Sequence, residues 1–214
     1  MIKAVLFDLD GTFADTAPDL ARAVNVMRAV RNLPPVAEAA TRPVTSHGAR
    51  GLLAAGFGMT PEHPDYAAMR QEFLDLYARD LCVDTRLFPG MAELLEGIEA
   101  RGLKWGIVTN KAERFAKPLM ALLELGGRCA CVVGGDTTSR TKPHPEPLFA
   151  ASRLIGIAPQ AAVYVGDDRR DIEAGRAAGM MTIAVRYGYL NGSDPETWGA
   201  DAVVDTPEDV LAHL

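Results

Sequence analysis

The feature that most constrains this fold is a series of short apolar runs separated by helical patterns. The runs are too short for buried helices, and three of them end abruptly in polar, reactive residues. Strands that alternate with helices predict right-handed crossovers and a parallel sheet covered on both faces, which is an α/β fold. The predicted strands are 4–7, 103–108, 130–133, 161–165 and 182–185, and the predicted helices between them are 91–100, 113–125, 147–155 and 171–178.

Residues 16–86 break this alternation. Helical patterns cover 18–30, 48–57 and 66–83, no strand is predicted, and prolines mark the loops. We therefore predict an all-helical domain at 16–86, inserted after the first strand into a core formed by 1–15 and 87–214.

Composition limits the possible partners. The 214 residues suffice for one core and a small second domain, and a net charge of −6 without a basic stripe argues against nucleic acid. A small phosphate ester remains possible, because a pocket can be locally positive in an acidic protein.

Cys82, Cys129 and Cys131 lack zinc-like spacing. No signal peptide and no apolar run of about 20 residues is recognisable, so we expect a cytoplasmic protein without a membrane partner. Monomer and homodimer both remain open.

The ends of the predicted strands carry the candidate site, because ligands of open α/β sheets bind beyond the carboxyl ends of the strands. Asp8 and Asp10 follow the first strand, and their spacing of two points both carboxylates to one side. A turn at Gly11 would let Asp10 offer its backbone carbonyl to a metal and keep its carboxylate available. The alternative is an ordinary Asp-Gly turn without function.

Polar residues follow the other strands as well. Thr109 and Asn110 can hold phosphoryl oxygens, although a helix N-cap is an equal explanation. Lys142 lies in a proline-stiffened loop, where a single lysine is more often solvent-exposed. Asp167, Asp168 and Asp171 open a helix, a position at which acidic residues also favour the helix dipole.

In combination these residues resemble the haloacid dehalogenase superfamily of phosphotransferases, over essentially the whole chain. The resemblance implies a Rossmann-like core with a parallel sheet, and residues 16–86 are similar to the family's mobile cap. The four motifs that carry it are Asp8-Leu9-Asp10-Gly11-Thr12, Val108-Thr109-Asn110, Lys142-Pro143, and Val165-Gly166-Asp167 with Asp171.

The resemblance implies a phosphomonoester hydrolase that forms an aspartyl-phosphate on Asp8, with Asp10 as general acid and base. Thr109, Asn110 and Lys142 would bind and neutralise the phosphoryl oxygens. Mg²⁺ would be held by the Asp8 carboxylate, the Asp10 backbone carbonyl and the Asp167 carboxylate. Asp171 would orient either a metal-bound water or Lys142. Asp168 stands where many phosphoglycolate phosphatases have serine or threonine, and it would add a negative charge beside the metal.

Within the superfamily the chain is most similar to phosphoglycolate phosphatases and the related N-acetylmuramic acid 6-phosphate phosphatases. Segments 166–172, 184–189 and 198–201 resemble the second group, which favours the amino-sugar phosphate as substrate over 2-phosphoglycolate. Both substrates carry a carboxylate, and Arg50 in segment 46–50 is our candidate to bind it. The alternative for Arg50 is a solvated surface side chain.

Three other functions are compatible with this fold to different degrees. A phosphomutase of the same fold shares every core motif, and steady phosphate release would argue against it. A true dehalogenase lacks the second aspartate of the first motif, so Asp10 argues against that activity. A non-catalytic phospho-ligand binding protein would not require Asp10.

Overall fold

The computed structural model describes residues 1–214 and confirms the α/β class. Six parallel strands form one sheet, in the order β5-β4-β1-β6-β7-β8, and β2 pairs with β3 in a separate two-stranded sheet. The strands are β1 (Ala4–Phe7), β2 (Ala14–Asp15), β3 (Arg86–Leu87), β4 (Lys104–Val108), β5 (Val132–Val133), β6 (Ala162–Gly166), β7 (Met181–Val185) and β8 (Ala202–Val204).

Eight α-helices accompany the strands. They are α1 (Ala17–Ala29), α2 (Glu38–Thr41), α3 (Gly48–Phe57), α4 (Tyr66–Arg79), α5 (Met91–Ala100), α6 (Glu113–Leu122), α7 (Glu146–Ile155) and α8 (Arg169–Ala178). Short 3-10 helices cover Arg42–His47, Pro159–Ala161, Pro195–Thr197 and Glu208–His213.

The chain divides into two compact units. One comprises Met1–Ala14 and Leu87–Leu214 and contains the six-stranded sheet, and the other is the helical segment Asp15–Arg86. The helical unit is held by apolar side chains of α1, α3 and α4 that have 5% exposure or less, namely Leu20, Val24, Met27, Leu52, Leu53 and Phe73.

Strand β1 lies in the middle of the large sheet, between β4 and β6. Ala4 to Phe7 are completely buried, and Phe7 is paired with Ile107 on one side and Val165 on the other. Burial on both faces explains why these strands read as continuous apolar runs rather than alternating patterns. The carboxyl ends of β1, β4 and β6 therefore meet at one edge of the sheet.

The observed elements differ from the sequence prediction in several places, and the two-residue strands β2 and β3 and the four-residue helix α2 were not predicted. Strand β8 was not predicted, because its three residues give too short a pattern. Helix α6 ends at Leu122 rather than at 125, since Glu124 adopts a left-handed conformation with φ +61°. Helix α4 ends at Arg79 rather than at 83, because the chain from Val83 to Thr85 bends around a buried carboxylate.

That carboxylate belongs to Asp19 on α1. It accepts hydrogen bonds from the backbone N–H groups of Val83, Asp84 and Thr85 at 2.9–3.0 Å, and from the Thr85 hydroxyl at 2.7 Å. Arg22 pairs with the same carboxylate. Burial alone would raise the pKa of Asp19, but these hydrogen bonds and Arg22 outweigh it and lower the pKa below its ordinary value.

We expect Asp19→Asn to lower the free energy of unfolding by about 3 kcal/mol at pH 7, because the amide loses one acceptor and turns an N–H group toward buried donors. A lowered folded-state pKa stabilises the protein above the unfolded-state pKa, and that stabilisation is lost as pH falls through the folded-state value. The difference between wild type and variant should therefore shrink below about pH 4. Urea unfolding of both proteins at pH 7 and pH 3 measures this difference in the free energy of unfolding.

The matched control is Asp65→Asn in the same unit, whose side chain is 76% exposed. It should change stability by less than about 0.5 kcal/mol. An Asp19→Asn effect as small as the control's would contradict the structural role of Asp19.

Candidate active site

The first candidate residues stand on a tight turn after β1. The Asp8 N–H donates to the Val165 carbonyl at 2.9 Å, which continues the sheet register by one residue. Leu9 O then accepts from Phe13 N and Ala14 N, and Gly11 adopts φ +88°. Glycine tolerates this left-handed conformation without a steric cost, so the chain can turn back at Gly11.

Asp8, Asp167 and Asp171 form a buried acidic cluster. Each offers a carboxylate oxygen, and these oxygens lie within 4.8 Å of one another. Asp167 and Asp171 come from the loop and helix that follow β6, the neighbour of β1. The Asp167 carboxylate accepts from the Thr12 hydroxyl at 3.0 Å and from Tyr189 N at 2.8 Å. The turn after β1 and the segment after β7 thus hold Asp167 from two sides.

Lys142 is the cation in contact with this cluster. Its Nζ lies 2.8 Å from Asp8 Oδ1, 2.6 Å from Asp171 Oδ1 and 2.9 Å from the Tyr164 hydroxyl. Tyr164 in turn donates to Val108 O at 2.6 Å. Burial would lower the pKa of Lys142, but the Asp171 and Asp8 carboxylates outweigh it and raise that pKa. Lys142 is 4% exposed, so the solvent-exposed alternative does not hold.

The residues after β4 hold Lys142 and its loop in place. The Asn110 side-chain amide donates to Lys142 O at 3.1 Å, and its oxygen accepts from Lys142 N at 3.0 Å. The side chain of Asn110 therefore positions Lys142. Thr109 is 3% exposed, and its hydroxyl oxygen accepts the backbone N–H of Lys111. Direct contact of Thr109 and Asn110 with phosphoryl oxygens stays a prediction.

Asp168 caps helix α8. Its carboxylate accepts from Arg170 N at 2.8 Å, while Asp171 Oδ2 accepts from Asp168 N, so the two acids form a capping box. The Arg170 guanidinium also contacts both Asp168 oxygens, at 2.8 and 2.7 Å. The negative charge that Asp168 adds near the acidic cluster is thus paired within its own helix, and a metal-related role for Asp168 stays a prediction.

The electrostatics of the cluster suit a divalent cation. Burial, with Asp8 and Asp171 beside it, raises the pKa of Asp167 well above its ordinary value, and burial also raises the pKa of Asp171. Three buried carboxylates meet one ammonium group there. Buried Asp8 Oδ1 has Lys142 Nζ beside it at 2.8 Å as an ion pair but lacks a hydrogen bond of good geometry. Carboxylate oxygens are the ligands that hard cations prefer, so this donor set fits Mg²⁺.

Sequence reasoning overlooked one cation in the core unit. Lys111 lies 2.9 and 3.2 Å from the two carboxylate oxygens of Asp10, and its side chain is 7% exposed. The only sequence signal was its position directly after Asn110, which is too little to separate it from a surface lysine. The structure thus gives Asp8 and Asp10 different lysine partners.

Arg50 lies in the helical unit, in the first turn of α3, and is exposed. Its proposed contact with a substrate carboxylate stays a prediction.

Cys129 and Cys131 are largely buried, and burial raises their pKa values to about 11 and about 12. Their thiols are therefore held in the neutral form at pH 7.

Residues 5–185 match the family of haloacid dehalogenase-like hydrolases. The chain belongs to this family. It is 49% identical to the N-acetylmuramic acid 6-phosphate phosphatase of Pseudomonas aeruginosa over 214 residues, which is 100% of this chain and 95% of that one. The phosphatase of that name from Pseudomonas putida is 50% identical, over 96% of this chain and 93% of its own.

A phosphoglycolate phosphatase of Xanthomonas campestris is 46% identical, over 96% of this chain and 93% of that one. Among solved structures, a phosphoglycolate phosphatase predicted in Haemophilus somnus 129PT superposes with a TM-score of 0.87 and 27% identity, covering 99% of this chain and 97% of that one. This haloacid dehalogenase-like hydrolase is accordingly a phosphoric monoester hydrolase that acts on a small phosphate ester. None of its helices is long and apolar enough to cross a membrane.

Proposed function

We propose that this phosphatase hydrolyses N-acetylmuramic acid 6-phosphate through an aspartyl-phosphate on Asp8. One observation carries the choice of substrate, namely the identity of about half of all residues over nearly the full length with two phosphatases of that name. The arrangement of Asp8, Lys142 and the acidic cluster supports the mechanism.

In the first half-reaction a carboxylate oxygen of Asp8 attacks phosphorus. The new O–P bond forms as the ester O–P bond breaks, and the Asp10 carboxyl gives its proton to the leaving alkoxide. Lys142, which lies 2.8 Å from Asp8, counters the charge that builds up when an anionic nucleophile approaches an anionic phosphate. Thr109 lies buried at the end of β4 and is proposed to bind a phosphoryl oxygen.

In the second half-reaction water attacks the aspartyl-phosphate. Asp10, now ionised, takes a proton from that water, and the bond between Asp8 and phosphorus breaks to release inorganic phosphate. Both enzyme carboxyl groups return to their starting forms, so the cycle needs no further reactant. Asp171 keeps Lys142 directed at Asp8 through both steps, because its Oδ1 lies 2.6 Å from the lysine Nζ.

We propose that Mg²⁺ is the metal and that Asp8, the Asp10 backbone carbonyl and Asp167 hold it. Bound there, it would supply positive charge to the phosphate oxygens and to the two carboxylates. Thr12 and Tyr189 donate to different oxygens of the Asp167 carboxylate, so that these hydrogen bonds would orient the ligand for a cation.

Substrate choice is assigned to the helical unit, since the core residues described above contact only the phosphate in this proposal. We propose that residues 16–86 act as a cap and that Arg50 binds the substrate carboxylate. The alternative substrate is 2-phosphoglycolate, and the 46% identity with the phosphoglycolate phosphatase of Xanthomonas campestris supports it.

The test is phosphate release in the presence of Mg²⁺, with N-acetylmuramic acid 6-phosphate and 2-phosphoglycolate compared under the same conditions. We expect kcat/KM for the amino sugar to be at least about tenfold higher, which corresponds to about 1.4 kcal/mol of transition-state binding. The reverse preference would reject the amino-sugar substrate. A burst that ends after one equivalent, with phosphate returned to the sugar, would instead indicate a phosphomutase.

A further inference from the structure

Asp10 is held by a lysine that belongs to none of the four motifs. The Lys111 Nζ contacts both carboxylate oxygens of Asp10, at 2.9 and 3.2 Å, and the two side chains are only 7% and 15% exposed. A surface ion pair between long side chains is worth little, but this pair is largely withdrawn from water.

The backbone of Lys111 is anchored at both of its polar groups. Its N–H donates to the Thr109 hydroxyl oxygen at 3.1 Å, and its carbonyl accepts from Gly135 N at 2.8 Å. The loop after β4 thus presents Lys111 from a fixed point at the edge of the sheet. A lysine on a mobile loop could not hold its partner in one orientation, whereas this one can.

The chemistry proposed above explains why such a contact matters. Asp8 and Asp10 are two residues apart on one turn, yet Asp8 must face phosphorus while Asp10 must face the leaving oxygen. A carboxylate group is free to turn about two torsions unless its oxygens are held. Lys142 contacts Asp8, and Lys111 contacts Asp10 at both oxygens. Each carboxylate therefore has its own lysine.

We propose that Lys111 is a positioning residue that holds the Asp10 carboxyl in line with the leaving oxygen and apart from the Asp8 acidic cluster. This inference rests on the proposed acid and base role of Asp10. It assigns to Lys111 an effect on proton delivery, which is a different effect from the charge neutralisation assigned to Lys142.

The test compares two kinds of ester with Lys111→Met. The leaving group of an alkyl phosphate is a basic alkoxide, which needs a proton. The leaving group of 4-nitrophenyl phosphate is a stabilised phenolate, which does not. Since kcat/KM reports only the steps up to the release of the first product, the later duty of Asp10 toward water does not enter. The alkyl substrate is whichever of N-acetylmuramic acid 6-phosphate and 2-phosphoglycolate the wild type hydrolyses faster.

We expect Lys111→Met to lower kcat/KM about 30-fold for the alkyl phosphate and less than about threefold for 4-nitrophenyl phosphate. The ratio of the two values does not depend on the fraction of folded enzyme, so partial misfolding cannot imitate the result. Lys111→Arg retains a cation and should recover part of the alkyl activity. Lys117→Met is the control, because Lys117 is 56% exposed on α6 and pairs only with Glu113 among the ion pairs.

Asp10→Asn distinguishes the two ways in which the proposal can fail. If Asp10→Asn loses far more alkyl than nitrophenyl activity but Lys111→Met lowers both equally or neither, the positioning role of Lys111 is overturned while the proposed mechanism stands. If Asp10→Asn itself shows no preference between the esters, the acid role of Asp10 is wrong and the inference about Lys111 falls with it.

Discussion

Asp8→Asn should lower kcat for phosphate release by more than about 10⁴-fold, because the amide cannot form the covalent intermediate. The change keeps the size of the side chain, so the turn after β1 should fold as before. Phosphate release in Mg²⁺, with mass spectrometry of the quenched protein to detect a phosphorylated Asp8 in the wild type, measures both parts of the claim.

The same substitution should leave the melting temperature in the absence of Mg²⁺ unchanged or raised. Asp8 is one of three carboxylates that repel one another in a buried cluster, and its charge contributes to the raised pKa of Asp167. Removing that charge relieves the repulsion, although Lys142 loses one of its three partners. Asp8→Asn should thus lower kcat without lowering the melting temperature, as expected where function maintains an electrostatically unfavourable arrangement.

The control for this measurement is Asp205→Asn, an acidic residue of the same unit whose side chain is 78% exposed. It should change neither activity nor melting temperature noticeably. Residual turnover above about 1% in Asp8→Asn would argue against the covalent mechanism, since only a direct attack by water would then account for it.

Gly188→Ala is the second change with a large expected effect, although Gly188 carries no functional group. A Cβ at this position would lie less than 3 Å from the Asp167 Cβ and from the Gly11 carbonyl oxygen. Neither neighbour can retreat, because Gly11 forms the turn after β1 and Asp167 is held by Thr12 and Tyr189. The added methyl group must therefore displace the proposed metal ligand.

We expect Gly188→Ala to lower kcat at least about 100-fold at a fixed Mg²⁺ concentration, and to raise the Mg²⁺ concentration that gives half-maximal activity. A second readout, independent of turnover, is the rise in melting temperature on addition of Mg²⁺, which should shrink in the variant. Gly127→Ala is the matched control, since a Cβ there meets no atom within 4 Å. Wild-type Mg²⁺ dependence in Gly188→Ala would exclude this account of Asp167.

The segment around Gly188 also contacts the acidic cluster of the core directly. Residues 184–189 are one of the segments that resemble the N-acetylmuramic acid 6-phosphate phosphatases. In the structure, Tyr189 N donates to Asp167, and the Tyr187 hydroxyl donates to Thr12 O at 3.1 Å. The segment thus supports the acidic cluster of the core, and the substrate preference depends on the overall identity with the two phosphatases of Pseudomonas.

Much of the fold was legible in the sequence, because its signals are local. A strand buried on both faces must be a continuous apolar run, and the polar residue after it must lie at the edge of the sheet. Asp8, Thr109 and Asp167 were located in this way, from nothing more than where β1, β4 and β6 end. The insertion was legible for the same reason, since its helical patterns interrupt the alternation of strands and helices.

Only the tertiary structure decided which charged groups meet. Lys111 and Asp10 are separated by 101 positions, and Lys142 and Asp171 by 29. Such contacts depend on the strand order β4-β1-β6 and on the paths of the loops, which no local periodicity encodes. The sequence by itself determined that carboxylates would gather at one edge of a parallel sheet. The packing of that edge determined that Lys142 faces Asp8 and Lys111 faces Asp10, because a charge buried there is stable only beside its partner.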